Sequence, residues 1–286
     1  MAWVSDEVAA RMDRLEIPFS DFGVDPYGIS RKHVARFLTM LQPFYESYFR
    51  VGAHGLENVP KRGRAMLVGN HSGGFAVDAG MVIASMFFAM DPPRLAQGMV
   101  EKFLAKTPFA ATWLGRCGQF PGLPEHAVKL LEDERLLMVF PEGARGTAKL
   151  YRERYSLVHF GTGFMRLAMQ TRTPIIPFGF LGGGSAVPTV TNAYGLGKVL
   201  GVPYVPVTYY GLAVPLPVHL EVEYGAPMRF EGTGHEDDET IMTHVDEVKV
   251  AIARLVAKGR ERRGSTDPAG EHPVGAPVRD VSGGAS

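Results

Sequence analysis

Two short apolar runs that stop abruptly in polar residues and glycine constrain this chain more than any other feature. Met66-Leu67-Val68 ends at Gly69 and delivers Asn70-His71-Ser72-Gly73-Gly74, after which Asp78 opens another apolar stretch that reaches Met90. Leu136-Leu137-Met138-Val139-Phe140 ends the same way, in Pro141-Glu142-Gly143-Ala144-Arg145-Gly146. Unbroken apolar runs of this length suit strands buried on both faces, as in parallel sheets covered by helices. Open α/β sheets bind their ligands beyond the carboxyl ends of strands, so His71 on one end and Arg145 on another suggest a single crevice.

Histidine can take a proton and return it near neutrality, which makes His71 a candidate base. A histidine alone is more often a surface or satisfied core residue, and it is the second strand end that favours a reactive role. A carboxylate nearby would fix its tautomer, and Asp78 is the only Asp or Glu between Glu57 and Asp91. Seven residues of continuous helix would hold the two α-carbons roughly 10 Å apart. Gly73-Gly74 can take positive φ, so a tight loop is expected to carry His71, with Asp78 in the first turn of the following helix.

Asn70-His71 with Asp78, followed by Phe140-Pro141-Glu142-Gly143-Ala144-Arg145 and then by Thr173-Pro174-Ile175-Ile176-Pro177-Phe178, resembles the glycerolipid acyltransferases of the lysophospholipid acyltransferase superfamily. That family carries a His, four residues, Asp block, a Phe-Pro-Glu-Gly-Thr-Arg block and a late apolar block containing proline. The resemblance covers residues 45 to 230. Six residues separate His71 from Asp78 rather than four, which is similar to the branch likened to monoacylglycerol and diacylglycerol acyltransferases. The family's strand that ends in Asp-Arg is best matched by Leu114 to Gly122, where Gln119-Phe120 stands instead of that pair. The family's Arg helps hold an acceptor phosphate, so its absence weakens a phosphate-bearing acceptor, with Arg116 as a substitute.

The resemblance implies O-acyl transfer from an acyl thioester, on CoA or acyl carrier protein, to the hydroxyl of a lysophospholipid or other glycerolipid. It implies His71 as general base, Asp78 as the residue that orients it, and direct transfer without an acyl-enzyme. Glu142 and Gly143 would shape the acceptor loop and Arg145 would bind a polar group or phosphate. Glu142 as a structural organiser is the competing reading. No metal and no tightly bound cofactor are implied. Lys149, with Arg145, Arg152 and Arg154, forms a cationic stretch that reads either as a patch for donor phosphates or lipid headgroups, or as a solvated loop.

The fold expected is α/β, a mixed sheet flanked by helices with an N-terminal helical region. Residues 1–50 form that region, 51–257 the acyltransferase domain and 258–286 a disordered tail rich in glycine, proline and charge. In the first region Val34, Phe37, Leu38, Leu41, Phe44, Tyr45 and Tyr48 share one helical face behind Ser30, with a kink at Pro43. That helix either docks on the core or lies in a membrane interface. The uncharged stretch Ala79 to Met90 is too short for the ~20 residues a membrane span needs. Gly182-Gly183-Gly184 reads as a flexible loop. Val199 to Val218 is uncharged and contains Pro203, Pro206, Pro215 and Pro217, so it reads as an extended apolar segment that lines an acyl channel, dips into a bilayer, or is covered by the domain.

Thirty basic residues offset thirty acidic ones, so nothing in the charge recommends nucleic acid as a partner. The single cysteine, Cys117, excludes an intramolecular disulfide. Met1 to Ser30 lack a basic segment followed by an apolar run, so the chain is expected at the cytoplasmic side of a membrane, peripherally attached. Two other functions stay open: a hydrolase with Ser72 or Cys117 as nucleophile, and a lipid binder without catalysis if Asp78 never reaches His71.

Overall fold

The computed structural model describes residues 3–72, 77–100, 110–211 and 214–264. Its strands are β1 (Gly52–His54), β2 (Ala65–Gly69), β3 (Ala96–Val100), β4 (Phe120–Pro121), β5 (Leu136–Val139), β6 (Ile175–Leu181), β7 (Thr189–Ala193), β8 (Val205–Thr208) and β9 (Glu221–Tyr224). Among the described residues seven of these make one sheet in the order β1-β9-β6-β2-β5-β3-β4, and β7 pairs with β8 separately.

The apolar runs sit at the centre of that sheet. β2 pairs in parallel with β5 and β6, placing Leu67 opposite Met138 on one side and Ile176 on the other. Every residue of β2 and of β6 is buried, as strands covered on both faces must be. β9 runs antiparallel to β6 and brings β1 with it, so the sheet is mixed. Helix Val77–Phe88 packs on β3, helix Pro124–Glu132 on β5, and the closing helix Asp238–Arg262 on β6 and β9. The chain is thus an α/β domain with a helix-flanked mixed sheet and an N-terminal helical region.

In that region the Ser5 hydroxyl caps helix Asp6–Met12, and helix Arg31–Pro43 buries Val34 and Leu38 completely. Phe37 meets Trp113 edge to face, so the helix docks on the core. Pro43 ends the regular helix, and the chain continues in a wider π-type turn over Phe44–Tyr48.

Four expectations are corrected. From the apolar and extended pattern of Val51 to Leu56 a strand is expected, and it is only Gly52–His54, because Leu56–Asn58 turns away in a 3-10 helix after Gly55 at φ 76°. Gly182-Gly183-Gly184 is not a free loop: Gly183–Ala186 is a short buried helix, and a Cβ on Gly184 would fall 2.4 Å from the Arg154 Cβ. The segment from Val199 begins inside helix Tyr194–Leu200 and contributes β8 before its extended return. The closing helix runs past Lys258 to Arg262, since Val256 and Gly259 are still buried against the sheet; the tail beyond residue 264 lies outside the described residues. Among those described, no helix is long and apolar enough to cross a membrane.

Candidate active site

The site is built where β2 stops. A Cβ at Gly69 would overlap the Phe178 ring at 2.2 Å, so only glycine lets β2 and β6 close up here. Asn70 then ties the strand end to β6: its amide donates to the Phe180 carbonyl at 3.1 Å and its Oδ1 accepts the Phe180 N–H at 2.8 Å. His71 follows in a fixed backbone, its N–H donating to Glu142 Oε2 at 2.9 Å and its carbonyl accepting Lys149 Nζ at 2.6 Å.

The imidazole is held on two sides. It stacks on Phe140, with ring centres 4.0 Å apart and planes 10° from parallel, and Phe140 in turn meets Phe178 edge to face. Nδ1 lies 3.0 Å from Asp78 Oδ2. Asp78 is fully buried, and it is the second residue of helix Val77–Phe88, as the loop argument required. The glycines invoked for that loop lie outside the described residues.

Burial by itself would raise the Asp78 carboxyl, but attraction and hydrogen bonding from His71, with the N–H groups of Ser72 at 2.9 Å and Ala79 at 2.8 Å, hold it below its ordinary value. A carboxylate that stays ionised accepts only, so neutral His71 carries its proton on Nδ1. Nε2 is then left with its lone pair, and among the described residues it has no hydrogen-bond partner.

The His71 backbone is held by a buried pair, Glu142 with Lys149, which the sequence did not reveal as a pair although Glu142 as a structural organiser was one of its readings. The buried Glu142 carboxylate accepts from the N–H groups of His71 and of Val158, the latter at 2.8 Å, and from Lys149 at 2.8 and 2.7 Å. Burial lowers the Lys149 ammonium from its ordinary value, and Glu142 offsets that only in part. The sole sequence signal was a Glu and a Lys seven residues apart, with no regular element to bring them together. Gly143 enters the following turn at φ 55°. Gly146 packs so closely that a Cβ there would lie 2.6 Å from Glu142 Oε2 and 2.7 Å from the His71 Cβ.

The family relationship agrees with this geometry. Residues 50–181 match the family model described as "Acyltransferase", and that span contains His71, Asp78, Glu142, Arg145 and Lys149. The central part of the chain is thus similar to the acyltransferase family. An uncharacterized Mycobacterium tuberculosis protein is 29% identical over 247 residues, covering 82% of this chain and 69% of that protein. A bovine (Bos taurus) protein described as "DGAT1/2-independent enzyme synthesizing storage lipids" is 29% identical over 125 residues, 43% of this chain and 36% of its own length. The fold is similar to the crystal structure of a 1-acyl-sn-glycerophosphate acyltransferase from Thermotoga maritima, with a TM-score of 0.54 and 16% identity over 80% of this chain and 81% of that one.

Not every anticipated residue of the acyltransferase gathers at His71. Arg145 is exposed on the turn Ala144–Thr147, and among the described residues no ion pair holds it. Lys149 is corrected: its ammonium is buried and committed to Glu142 and His71, so it holds the backbone and is not a phosphate ligand. The cationic stretch divides in the same way, with Arg154 buried against the Tyr151 and Tyr155 rings and Arg152 exposed beside Glu153. Arg116 is the last residue of helix Ala110–Arg116. It is exposed at the start of the run into β4, three strands from β2, and its charge lowers His33 behind the larger effect of that ring's burial.

The hydrolase nucleophiles fare no better. The Ser72 hydroxyl is buried and faces Asp78 at 3.4 Å rather than the imidazole. Cys117 is buried beside the His33 carbonyl, and burial pushes its thiol up to about 12. One further cluster, His54 with Glu221 and Glu223, brings metal-ligand atom types within 4.8 Å of one another. Arg262 bridges both carboxylates there and Lys258 approaches Glu223 at 3.4 Å, so their charge is already balanced by the protein.

Proposed function

We propose that this acyltransferase moves a fatty acyl group from a CoA or acyl-carrier thioester directly to a lipid hydroxyl, with His71 as the base. The acceptor O–H gives its proton to Nε2 as the oxygen attacks the thioester carbonyl. Asp78 steadies the imidazolium that forms, and the departing thiolate takes the proton back when the tetrahedral adduct collapses. The observation that carries the reading is the 3.0 Å contact between His71 Nδ1 and a buried, ionised Asp78, which leaves Nε2 open. The same contact supports catalysis over a lipid binder without it, a reading motivated by the two side chains lying out of reach.

The favoured acceptor is an uncharged glyceride or other lipid alcohol rather than lysophosphatidate. Gln119-Phe120 stands where the resemblance leads one to expect the Asp-Arg pair whose Arg helps hold an acceptor phosphate, and the Gln119 amide is committed to Gly98 N–H at 3.1 Å and the Ala96 carbonyl at 3.3 Å. With Lys149 buried, Arg145 is, among the described residues, an exposed cation on the turn after Glu142 that could meet a polar acceptor group. The likeness to a bovine protein described as synthesizing storage lipids supports the same class.

The test is thiol release from palmitoyl-CoA by the purified protein with lysophosphatidate, glycerol-3-phosphate, monoacylglycerol, diacylglycerol or no acceptor, alongside His71→Ala. Release that depends on a glyceride and drops by about 10²–10⁴-fold in the variant is the expected result. Release without any acceptor would mean hydrolysis and would overturn the proposal.

A further inference from the structure

Between β6 and β9 the chain leaves the sheet, forms the β7–β8 hairpin with helix Tyr194–Leu200 across its tip, and returns. From Thr173 to Leu220 the only charged residue is Lys198. Such a stretch would be unexceptional in a core, but much of this one faces solvent. Val199 is 82% exposed, Tyr209 69%, Tyr194 62%, and Leu200 and Val214 61% each. Soluble domains seldom gather so many large apolar side chains on one excursion without something to cover them.

The excursion is anchored beside His71. It departs through Gly183, where a Cβ would strike the Ser72 hydroxyl at 1.9 Å. Asn192 then donates to the Ala148 carbonyl at 2.7 Å, fastening β7 to the turn that carries the exposed Arg145. Tyr209 meets Tyr151 edge to face across the same boundary. On the return, the Tyr48 hydroxyl donates to the Pro215 carbonyl at 2.7 Å, and Tyr48 packs on Phe44, itself 46% exposed. Exposed apolar side chains therefore occur at the hairpin tip, on its return and at the end of the N-terminal helix.

We infer that this excursion is the membrane-docking surface of the protein, with Val199, Leu200 and Val214 entering the acyl region of a lipid bilayer and the tyrosines resting at headgroup level. The occupant is a lipid surface because of what the patch lacks and what borders it. Residues 173–220 contain no acid and one lysine, while the exposed cations Arg145 and Arg152 stand beside them, a pattern that complements phosphate headgroups over hydrocarbon. The position suits a lipid substrate as well: acceptor and acyl chain would reach His71 along a face already in the bilayer. That last point rests on the proposed acyl transfer, whereas the docking surface stands on exposure and charge.

The experiment is co-sedimentation of the full-length protein with vesicles of phosphatidylcholine, alone or mixed with phosphatidylglycerol, at low and high salt. Wild type, Val199→Asp/Leu200→Asp and the control Val250→Asp are compared; all three sites are exposed, so the substitutions do not disturb the core. Wild type is expected to bind both vesicles and to remain bound in high salt, as apolar insertion requires. The double variant is expected to partition at least about tenfold more weakly and the control to match wild type.

Wild type that stays in the supernatant, or a double variant that binds as well as wild type, would overturn the inference. So would a wild-type dimer in solution that the double variant dissolves, because the patch would then serve a second copy of this chain. Acyl transfer to an acceptor dispersed in detergent, measured on the same proteins, keeps the two proposals apart. Retained transfer with lost vesicle binding supports the docking surface, while absent transfer in wild type sinks the acyltransferase reading and leaves the vesicle result to stand by itself.

Discussion

Lys149 Nζ lies 2.6 Å from the His71 carbonyl oxygen while bonding both oxygens of Glu142, whose carboxylate holds the His71 N–H at 2.9 Å. Both sides of the His71 peptide backbone are therefore clamped by one buried ion pair, and among the described residues Phe140 and Asp78 orient the imidazole.

Breaking that pair should be costly. Lys149→Met leaves Glu142 buried without its counter-charge, and we expect a loss of about 3–5 kcal/mol in stability. Urea unfolding measures it directly, and a loss below about 1 kcal/mol would mean that the clamp is incidental to the fold.

Acid sensitivity should trace in part to Asp78. Its folded value is held below the ordinary 3.8, so its contribution to stability is complete above the unfolded value and is lost as pH falls through the folded one. Asp78→Asn should be less stable at neutral pH and should lose less stability on acidification. Parallel stability curves for variant and wild type across that window would refute the assignment.

Gly146→Ala introduces a methyl group 2.6 Å from Glu142 Oε2 and 2.7 Å from the His71 Cβ. Overpacking of this kind costs about 1–3 kcal/mol. Pushing His71 off its position should also reduce kcat, by up to about 10²-fold for a displacement near 1 Å. Thermal unfolding together with steady-state kinetics would show both effects, and an unchanged melting temperature would contradict the packing.

Cys117 should resist alkylation in the folded protein. It is buried, and its thiol is pushed up to about 12, so thiolate is scarce at neutral pH. Mass spectrometry after iodoacetamide treatment should find labelling only once denaturant is added. Rapid labelling of native protein, with loss of acyl transfer, would reopen a cysteine-based mechanism.

The central strands were legible because their signal is local. Ala65 to Gly69 and Leu136 to Phe140 are continuous apolar runs closed by glycine or proline, and the observed β2 and β5 match them to within a residue. Asp78 in the first helical turn followed from the reach of a helix and from the absence of any other acid nearby. The span between Val199 and Val218 was less legible: its four prolines argue against a spanning helix despite the lack of charge, yet they do not reveal that β8 pairs with β7 or that the tip faces outward.

Cations show the limit most clearly. Arg145, Lys149, Arg152 and Arg154 are equivalent as letters within one short stretch, and the fold sends two of them inward and two outward. Continuous apolar runs such as those of β2 and β5 mark strands that must be buried, and residue chemistry settles that a histidine and a carboxylate are available, because both are properties of neighbours along the chain. Whether a given charge meets solvent, Glu142 or an aromatic ring depends on contacts between residues distant in sequence. Those contacts exist only after β2, β5 and β6 have aligned their ends, and that alignment turns Lys149 from a surface cation into the support of His71.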